Sequence, residues 1–393
     1  MTDNVTTLKS KNWVSRFNLI GKPVITDYTF DMDKQSQRSS WVYNQMKLLV
    51  DCGEKFGSVQ VNLMGGYSPD RNNQIRVHLV GDDGKIDYKN ATFVDWEDRK
   101  DPSVIENVAS SDIIKIGLEK TTEGKNFIKH FLSAYDAIEY IKSVLTPDMT
   151  ISVNGNISYS IYNDKVYLNL DVRSMYLSNA ELNNYRAHFV QSVILDKDSA
   201  NMKDIDKSTG VMNIDAIVLD YVKEMNGHEI RGQFPYHYNF EWKFNLDKQE
   251  LCKKIYNKFF NIKKGYTQIT FEGDFLSGGA TVQTTWDDVP DDIKELVELE
   301  IYTKEEALAK CATNGSRETH MRLTAPYIIK TDNGSDMQIF PEHYTEEELD
   351  FSWVYSDDDA DTDEDNDELP FGNDESESDG STGDDDMSWL NDL

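Results

Sequence analysis

The sequence predicts a mainly β protein in which two small Greek-key barrels with inserted helices precede an acidic tail. Three observations support this prediction. Strand-like segments separated by turn residues fill most of the chain, a short glycine motif recurs after each of two predicted helices, and the composition changes abruptly near residue 346. At 393 residues the chain is long enough for two domains that each bury a core.

The predicted elements fall into two similar series. In the first, apolar residues recur at three- and four-residue steps over 127–145, which predicts an amphipathic helix, and Asn163-Asp164 predicts a tight turn. In the second, helices are predicted at 248–260, 291–300 and 304–310. The predicted strands are 12–25, 41–52, 58–64, 75–80, 150–162, 166–176, 189–195, 211–221, 231–244, 267–275, 280–286 and 320–330.

A shared spacing suggests that the two series are related. The segment 151–157 after the first helix and the segment 269–275 after the second both read apolar-x-apolar-x-Gly-x-apolar, with Gly155 and Gly273 in the same place. Such a strand is half-buried, and its glycine permits the bulge or sharp bend that a small closed barrel requires. Chance can also produce this pattern, so duplication and coincidence both stay open.

The charge divides the chain. The formal net charge is −31, but residues 346–393 contain 21 Asp or Glu and no Lys or Arg, which leaves −10 on the rest. Few apolar groups and one sign of charge predict a disordered tail. The predicted organisation is therefore a flexible N-terminus (1–11), a first barrel domain (12–180), a second (186–345) and the tail (346–393). Any affinity for nucleic acid must come from local basic patches.

Cysteine usage and hydropathy predict a cytoplasmic location. Cys52, Cys252 and Cys311 are far apart, and neither their odd number nor their spacing suits a disulfide framework or a zinc site. Residues 1–11 are polar, and no segment approaches 18 uninterrupted apolar residues, so we expect neither export nor a membrane span.

Three strands, a helix and a two-stranded hairpin form the order of the oligonucleotide/oligosaccharide-binding (OB) fold. In tandem and with an acidic tail, this order resembles the single-stranded DNA-binding proteins of bacteria and, at this length, of bacteriophages. The resemblance implies sequence-tolerant binding of single-stranded DNA in replication, recombination or repair. It implies no cofactor, no metal and no catalytic residue.

The tail resembles that family in a motif as well. Asp367-Glu368-Leu369-Pro370-Phe371 is similar to the acidic tip with which those proteins recruit replication and repair partners, although there Pro-Phe closes the chain and here it is internal. At the end of this chain acidic residues again precede apolar ones, which can anchor a segment that charge has steered to a basic surface. The predicted partner-binding residues are Leu369, Pro370, Phe371, Trp389, Leu390 and Leu393.

The best candidate surface for single strands lies in residues 34–55. If 41–51 is a strand, Trp41, Tyr43 and Lys47 alternate onto its outer face, where rings can stack on bases and a cation can meet phosphates. Residues 9–55 hold eight Lys or Arg against five acids. The alternative is that both rings pack beneath the neighbouring loop. The supporting residues are Arg16, Tyr28, Lys34 and Arg38.

Three further groups are weaker candidates, each with an ordinary alternative. Tyr67, Arg71 and Arg76 follow a Gly-rich loop that could close over a strand or be a solvated hairpin. Residues 234–244 carry six alternating aromatics, which suit a core better than an exposed platform; of these, Tyr236 and Tyr238 are predicted to reach the surface. Lys254 and Lys258 lie on a basic helix that is either a phosphate contact or a solvated face.

Phosphate-binding loops, hydrolase elbows and zinc-binding helices have no counterpart in the sequence, so an enzyme is not predicted. The predicted function is single-stranded DNA binding without catalysis. A structural or assembly protein with a tail that mimics nucleic acid, and a metal-dependent nuclease, are the alternatives. A carbohydrate-binding barrel is a weaker third.

Overall fold

The computed structural model describes residues 8, 10–37, 39–81, 83–88, 90–162, 165–277, 319–331 and 334–355. Strands predominate, which confirms the predicted mainly β fold class. The helices are α1 (Pro102–Ile105), α2 (Ala134–Val144), α3 (Gln249–Phe259) and α4 (Glu346–Leu349). The strands are β1 (Ser15–Val24), β2 (Phe30–Gln35), β3 (Val42–Asp51), β4 (Ser58–Tyr67), β5 (Gln74–Val77), β6 (Thr92–Asp95), β7 (Ile114–Lys120), β8 (Asn126–Phe131), β9 (Ile151–Tyr162), β10 (Lys165–Leu177), β11 (Arg186–Leu195), β12 (Val211–Met225), β13 (His228–Lys243), β14 (Tyr266–Ser277), β15 (Thr319–Pro326), β16 (Ile328–Thr331), β17 (Gly334–Met337) and β18 (Ile339–Tyr344).

Two closed paths of five strands follow one another along the chain. In the first, β1 pairs with β3, β3 with β4, β4 in parallel with β10, β10 with β9, and β9 again with β1. In the second, β11, β12, β13, β15 and β14 repeat this order and the same single parallel pairing. Along the chain, α2 lies between β4 and β9, and α3 lies between β13 and β14. Each helix thus separates the third from the fourth barrel strand in sequence order, as in an OB barrel.

The two barrels meet in one continuous sheet. β1 and β11 run antiparallel along their length, and Phe17 lies directly opposite Phe189. Both rings are buried, and a single hydrophobic cluster extends from one barrel into the other. The first strand of each barrel, β1 or β11, is therefore also the strand that joins it to the other barrel.

The two motif glycines occupy equivalent places beside this seam. Gly155 pairs with Phe17 and Gly273 with Phe189. A Cβ atom on Gly155 would lie 1.9 Å from the Asp171 carbonyl oxygen, and one on Gly273 would lie 2.2 Å from Cζ of Phe189. A register shift accompanies each glycine, because the partner strand carries one extra residue there: Arg173 of β10 beside Gly155 and Thr324 of β15 beside Gly273. The shared spacing thus reflects a repeated close approach of strand and phenylalanine, next to the kind of bulge that the sequence pattern predicts.

Additional elements decorate the first barrel. β2 pairs with the first half of β3, and β7 pairs in parallel with the second half of β10, with β8 beyond it. Between β4 and β7, the hairpin β5–β6 covers a small separate core of Val77, Val94 and Val108 with neighbouring aliphatic residues.

The predicted helix over 127–145 is wrong in its first turns. Asn126–Phe131 forms strand β8, and the helix begins only at Ala134, where the Ser133 side chain accepts a hydrogen bond from the Tyr135 N–H. The apolar spacing of 127–131 suited a helix, but pairing with β7 satisfies the backbone there instead. The predicted strand 320–330 is also divided, because β15 ends at Pro326 and β16 pairs with β17.

Several predictions fall outside the described residues. They are the turn at Asn163-Asp164, the strand 280–286, the helices 291–300 and 304–310, and residues 356–393 of the predicted tail. The first ten residues of that predicted tail, 346–355, are instead ordered, with Phe351 and Val354 buried in the main core. In the described part of the chain, no helix combines the length and apolar character needed to cross a membrane.

A buried carboxylate links the two barrels away from the seam. Asp220 of β12 accepts hydrogen bonds from the backbone N–H of Tyr159 in β9, at 2.7 Å, and from that of Tyr221, at 2.8 Å. Burial raises the pKa of Asp220 to about 7, although these two N–H groups lower it, and the nearby Asp171 raises it further. The folded protein therefore holds a proton at Asp220 that the unfolded chain releases at lower pH.

This proton makes stability depend on pH. Between about pH 4 and pH 7 the folded state binds more protons at Asp220 than the unfolded state does, so the contribution of Asp220 to stability falls as the pH rises through this range. We expect the free energy of unfolding of the wild type to decline more steeply over this range than that of Asp220→Asn. Urea denaturation at several pH values measures both slopes, and parallel curves would contradict the assignment.

A second prediction concerns the glycine beside the seam. In Gly273→Ala the new methyl group would overlap Phe189 and the Arg322 carbonyl oxygen, so we expect a loss of about 1–3 kcal/mol in the free energy of unfolding. Gly232→Ala in β13 is the matched control, because its Cβ meets only the Ile230 oxygen at an ordinary 3.5 Å. Equal urea midpoints for the two variants would show that the close approach is not a constraint.

Candidate functional site

Strand β3 presents two different faces. Met46, Leu48 and Val50 are fully buried in the barrel, and Asn44 is buried against α2, where its side chain donates to the Tyr135 carbonyl oxygen at 3.0 Å. Tyr43 and Lys47 alternate with these residues and therefore point away from the core. The predicted division of this strand holds at Tyr43 and Lys47, whereas Gln45 between them is buried instead of facing outward.

Two aromatic rings stack on the outer side of β3. The Trp41 and Tyr43 ring centroids are 4.7 Å apart, and the ring planes differ by 19°. Both side chains are half-buried, so neither lies wholly beneath a loop. Tyr43 pairs with Gly66 of β4, which has no side chain to cover the ring from the neighbouring strand. The arrangement is a flat aromatic surface of the kind on which bases stack.

Cations flank this aromatic pair. Lys34 of β2 pairs with Tyr43, and Lys47 pairs with Asn62 of β4. Lys34 Nζ lies 3.4 Å from an Asp31 carboxylate oxygen, but more than half of its side chain is exposed, and this surface ion pair is weak. We call Trp41, Tyr43, Lys34 and Lys47 the β3 strip.

Tyr28 stands beside the strip on a fixed turn. The Thr29 N–H donates to the Thr26 carbonyl oxygen at 3.1 Å, and the Thr26 N–H donates to Thr29 Oγ1 at 2.8 Å. The Lys47 N–H donates to the Thr29 carbonyl oxygen at 2.9 Å, which ties the turn to β3. Tyr28 is 86% exposed at the tip of this turn. Arg38, the remaining candidate of this loop, lies outside the described residues.

Arg16 does not join the β3 strip. It lies on β1 between Asn156 of β9 and Val190 of β11. Its Nη2 donates to the Tyr327 hydroxyl at 2.8 Å, and its guanidinium lies 5.6 Å from the centre of that ring. This guanidinium therefore joins the second barrel to the first, and its phosphate-binding role stays a prediction.

Tyr67 belongs to an aromatic cluster that sequence reasoning missed. Its ring centroid is 5.2 Å from that of Trp96 and 5.6 Å from that of Tyr135, and the Arg99 guanidinium lies 4.0 Å from the Trp96 ring. Arg99 also forms a two-pronged ion pair with the buried Asp136 of α2. The cluster fixes the insertion after β4 against α2. The spacing of Trp96 and Arg99 around one short helical turn was the available signal.

The other candidates of the insertion are separate from the β3 strip. Arg71 is exposed in the loop after β4, and Arg76 of β5 pairs with the exposed Phe93 of β6. The Ser40 hydroxyl donates to an Asp70 carboxylate oxygen at 2.5 Å, so this loop contacts the loop that leads into β3.

The prediction that the Tyr236 ring reaches the surface is wrong. It is only 2% exposed, because β13 turns its aromatic side chains into the second barrel. Burial, followed by the charges of Asp220 and Tyr355, raises the pKa of the Tyr236 hydroxyl well above its usual range. Tyr238 is half-buried, with its ring centroid 5.2 Å from those of Tyr159 and Phe240. Tyr236 cannot receive a base without a change in the core, whereas part of Tyr238 remains exposed.

Lys254 and Lys258 lie on the exposed face of α3, opposite the buried Cys252, Tyr256 and Phe259. They belong to the second barrel and are not brought together with the β3 strip in the sheet. The predicted partner-binding residues Leu369, Pro370, Phe371, Trp389, Leu390 and Leu393 lie outside the described residues.

The thiol of Cys52 is free but buried in the first barrel. Burial raises the pKa of the Cys52 thiol to about 12, so its reactive thiolate form is scarce at neutral pH. Among the described residues, no group of three or more His, Cys, Asp or Glu side chains is arranged to hold a metal ion.

Comparison with known proteins yields few matches. The family model described as YorF matches residues 113–276, from the start of β7 into β14 and less than half of the chain. No curated protein matches. A deletion mutant of the single-stranded DNA binding protein from Thermus aquaticus matches with a TM-score of 0.30 and 10% identity, over 68% of this chain and 88% of that chain. The wild-type Thermus aquaticus protein matches with a TM-score of 0.30 and 8% identity, over 68% and 87%.

Both solved structures are of a single-stranded DNA binding protein, the class that the sequence resembles. A bacteriophage origin stays a prediction.

Proposed function

We propose that this protein binds single-stranded DNA on the first barrel, without catalysis. The observation that supports the proposal is the stacked Trp41–Tyr43 pair between Lys34 and Lys47, on the outer face of the second strand of an OB-type barrel. Strands two and three of such barrels are the usual platform for oligonucleotides. Rings supply stacking on any base and lysines supply phosphate contacts, so the binding would tolerate most sequences.

The wider role belongs to the same proposal. A protein that covers single strands in the cytoplasm, of a bacterium or of a phage-infected host, serves DNA replication, recombination or repair. The acidic tail with its apolar tips would recruit partner proteins of those processes. The support is the sequence of residues 346–393, in which acid precedes Leu369-Pro370-Phe371 and Trp389-Leu390.

The aromatic pair gives the first test. In the double variant Trp41→Ala, Tyr43→Ala we expect the affinity for fluorescein-labelled oligo-dT to fall by about tenfold or more, because each stacked base contributes about 1–3 kcal/mol. Fluorescence anisotropy at low salt measures the affinity.

The chain contains a matched control. Trp353 and Tyr355 repeat the Trp-x-Tyr spacing after α4, outside both barrels, and both are more than one third exposed. The double variant Trp353→Ala, Tyr355→Ala should bind oligo-dT like the wild type. Unchanged binding by the Trp41 and Tyr43 variant, with circular dichroism showing it folded, would remove the β3 strip from the proposal.

The tail gives a separate test. We expect alanine at Pro370 and Phe371, or at Trp389 and Leu390, to lower binding to a purified replication or repair partner while leaving oligo-dT affinity unchanged, because apolar anchors fix a segment that acid only steers. Surface plasmon resonance compares these two double variants with two single control variants in the same tail, Ser376→Ala and Ser378→Ala. Equal partner binding by all four proteins would contradict the recruiting role.

A further inference from the structure

Strand β2 contains a bulge opposite Asn44 of β3. The two strands pair regularly as far as Gln45 and again from Tyr43, but two residues of β2, Met32 and Asp33, occupy the interval that Asn44 alone fills in β3. An extra residue of this kind shifts every following side chain of its strand by one place. The bulge therefore determines which residue of β2 lies beside Tyr43.

The bulge replaces an acid with a base beside Tyr43. In the observed register Lys34 lies directly opposite Tyr43, and directly paired residues share one face of a sheet. In a register without the bulge Asp33 would take this position, and Lys34 would lie opposite Val42 on the other face. A carboxylate next to the rings would repel a phosphate, whereas the ammonium group attracts it. The sign of the charge at this point of the β3 strip thus depends on one extra residue.

Asp33 adopts a backbone conformation that few residue types accept. Its φ angle is positive, at 50°, in the left-handed region where aspartate and asparagine are enriched and β-branched residues are strained. The Asp33 N–H donates to the side-chain oxygen of Asn44 at 2.8 Å, and the Asn44 amide donates to the Tyr135 carbonyl oxygen at 3.0 Å. Asn44 is 1% exposed, so the bulge is held from a fixed point inside the protein.

Helix α2 holds the side chain of Asp33. The Tyr135 hydroxyl donates a hydrogen bond to the Asp33 carboxylate. Burial, and then this hydrogen bond, raise the pKa of the Tyr135 hydroxyl well above its usual range, so the hydroxyl stays protonated as a donor. The Tyr135 ring itself packs in the aromatic cluster with Tyr67 and Trp96. That cluster therefore fixes the donor that keeps the Asp33 carboxylate on the side of α2.

A glycine lets α2 lie close enough to reach the bulge. Gly65 of β4 pairs with Asn44, and a Cβ atom on Gly65 would lie 2.8 Å from Cβ of Ala134 and 3.3 Å from the Tyr135 nitrogen. The first turn of α2 therefore rests directly on the sheet beside Asn44. Strand β4, helix α2 and the insertion after β4 thus all support the same bulge.

We propose that Asp33 is a positioning residue for single-stranded DNA. Its bulge, held by Asn44 and Tyr135, brings Lys34 to the face of the β3 strip. There the ammonium group contacts a phosphate of the strand that stacks on the rings, while Asp33 itself does not touch the DNA. This inference rests on the proposed function and identifies the residues that set the charge of its binding surface.

Two substitutions at Asp33 separate the effect of the bulge from that of the charge. Asp33→Asn tolerates the positive φ angle and still accepts the hydrogen bond from Tyr135. Asp33→Val is strained at this φ angle and favours the register without the bulge. Both variants lack the carboxylate, so the charge at this position is the same in the two proteins. Because Asp33 is exposed, neither variant removes a core contact.

The measurement is the slope of log K against log salt for labelled oligo-dT, by fluorescence anisotropy. One phosphate contact on a single strand contributes about 0.7 to this slope. We expect Asp33→Val and Lys34→Gln each to reduce the slope by about 0.7, and Asp33→Asn to keep the wild-type slope. Adding Lys34→Gln to Asp33→Val should cause no further reduction, because the contact is already lost. A purely structural role would not make the two effects depend on each other.

The outcomes separate this inference from the proposed function. Equal slopes for Asp33→Asn and Asp33→Val, or additive effects of Asp33→Val and Lys34→Gln, overturn the positioning role. If Lys34→Gln leaves the slope unchanged while the Trp41 and Tyr43 variant loses affinity, the inference falls and the proposed function stands. If the Trp41 and Tyr43 variant also binds like the wild type, the proposed function fails.

A second variant serves if Asp33→Val does not fold. Tyr135→Phe keeps the ring in its cluster and removes only the hydroxyl that donates to Asp33. In the Tyr135→Phe protein, Lys34→Gln should reduce the salt slope by clearly less than it does in the wild type, because Lys34 is no longer held at the phosphate. The same reduction in both proteins would overturn the positioning role.

Discussion

The antiparallel seam between β1 and β11 is the contact on which both barrels depend. β1 pairs with β9 on one edge and, on the opposite edge, first with β11 and then with β3; β11 pairs with β14 on one edge and, on the other, with β1 and then with β12. At the centre of the seam Phe17 faces Phe189, and each ring needs a glycine on the next strand, Gly155 or Gly273. Any side chain at either glycine would push a phenylalanine out of the shared core or displace a neighbouring strand. The fold therefore tolerates little change at these four positions.

The same architecture is used differently in the two barrels. Following the pairings outward from the seam, Asn62 of β4 corresponds to Glu241 of β13. Glu241 is paired with Arg322 at 2.7 Å and faces His320 at 3.2 Å. The first barrel thus has the neutral amide of Asn62 at the place where the second barrel has an ion-pair cluster. The two barrels share the arrangement of their strands and differ at this surface.

Electrostatics explains how an acidic protein can present the β3 strip. The body carries a formal charge of −10, but fields between exposed charges decay within about 10 Å at ordinary salt. Lys34 and Lys47 therefore act on a phosphate nearby without opposition from distant carboxylates. The buried Asp220 belongs to the junction between the barrels, and its raised pKa reports the low polarity of that junction.

Local patterns in the sequence determined the class of fold, the alternation of β3 and the two motif glycines, because strand periodicity and backbone clearance are properties of short segments. Trp41 and Tyr43 could be placed outward for the same reason. Tertiary structure alone decided the rest. β8 is a strand because β7 lies beside it, Tyr236 is buried because its barrel closes around it, and Arg16 is engaged because Tyr327 comes within reach. The two barrels join only through the pairing of β1 with β11, a register between distant segments that no local pattern encodes.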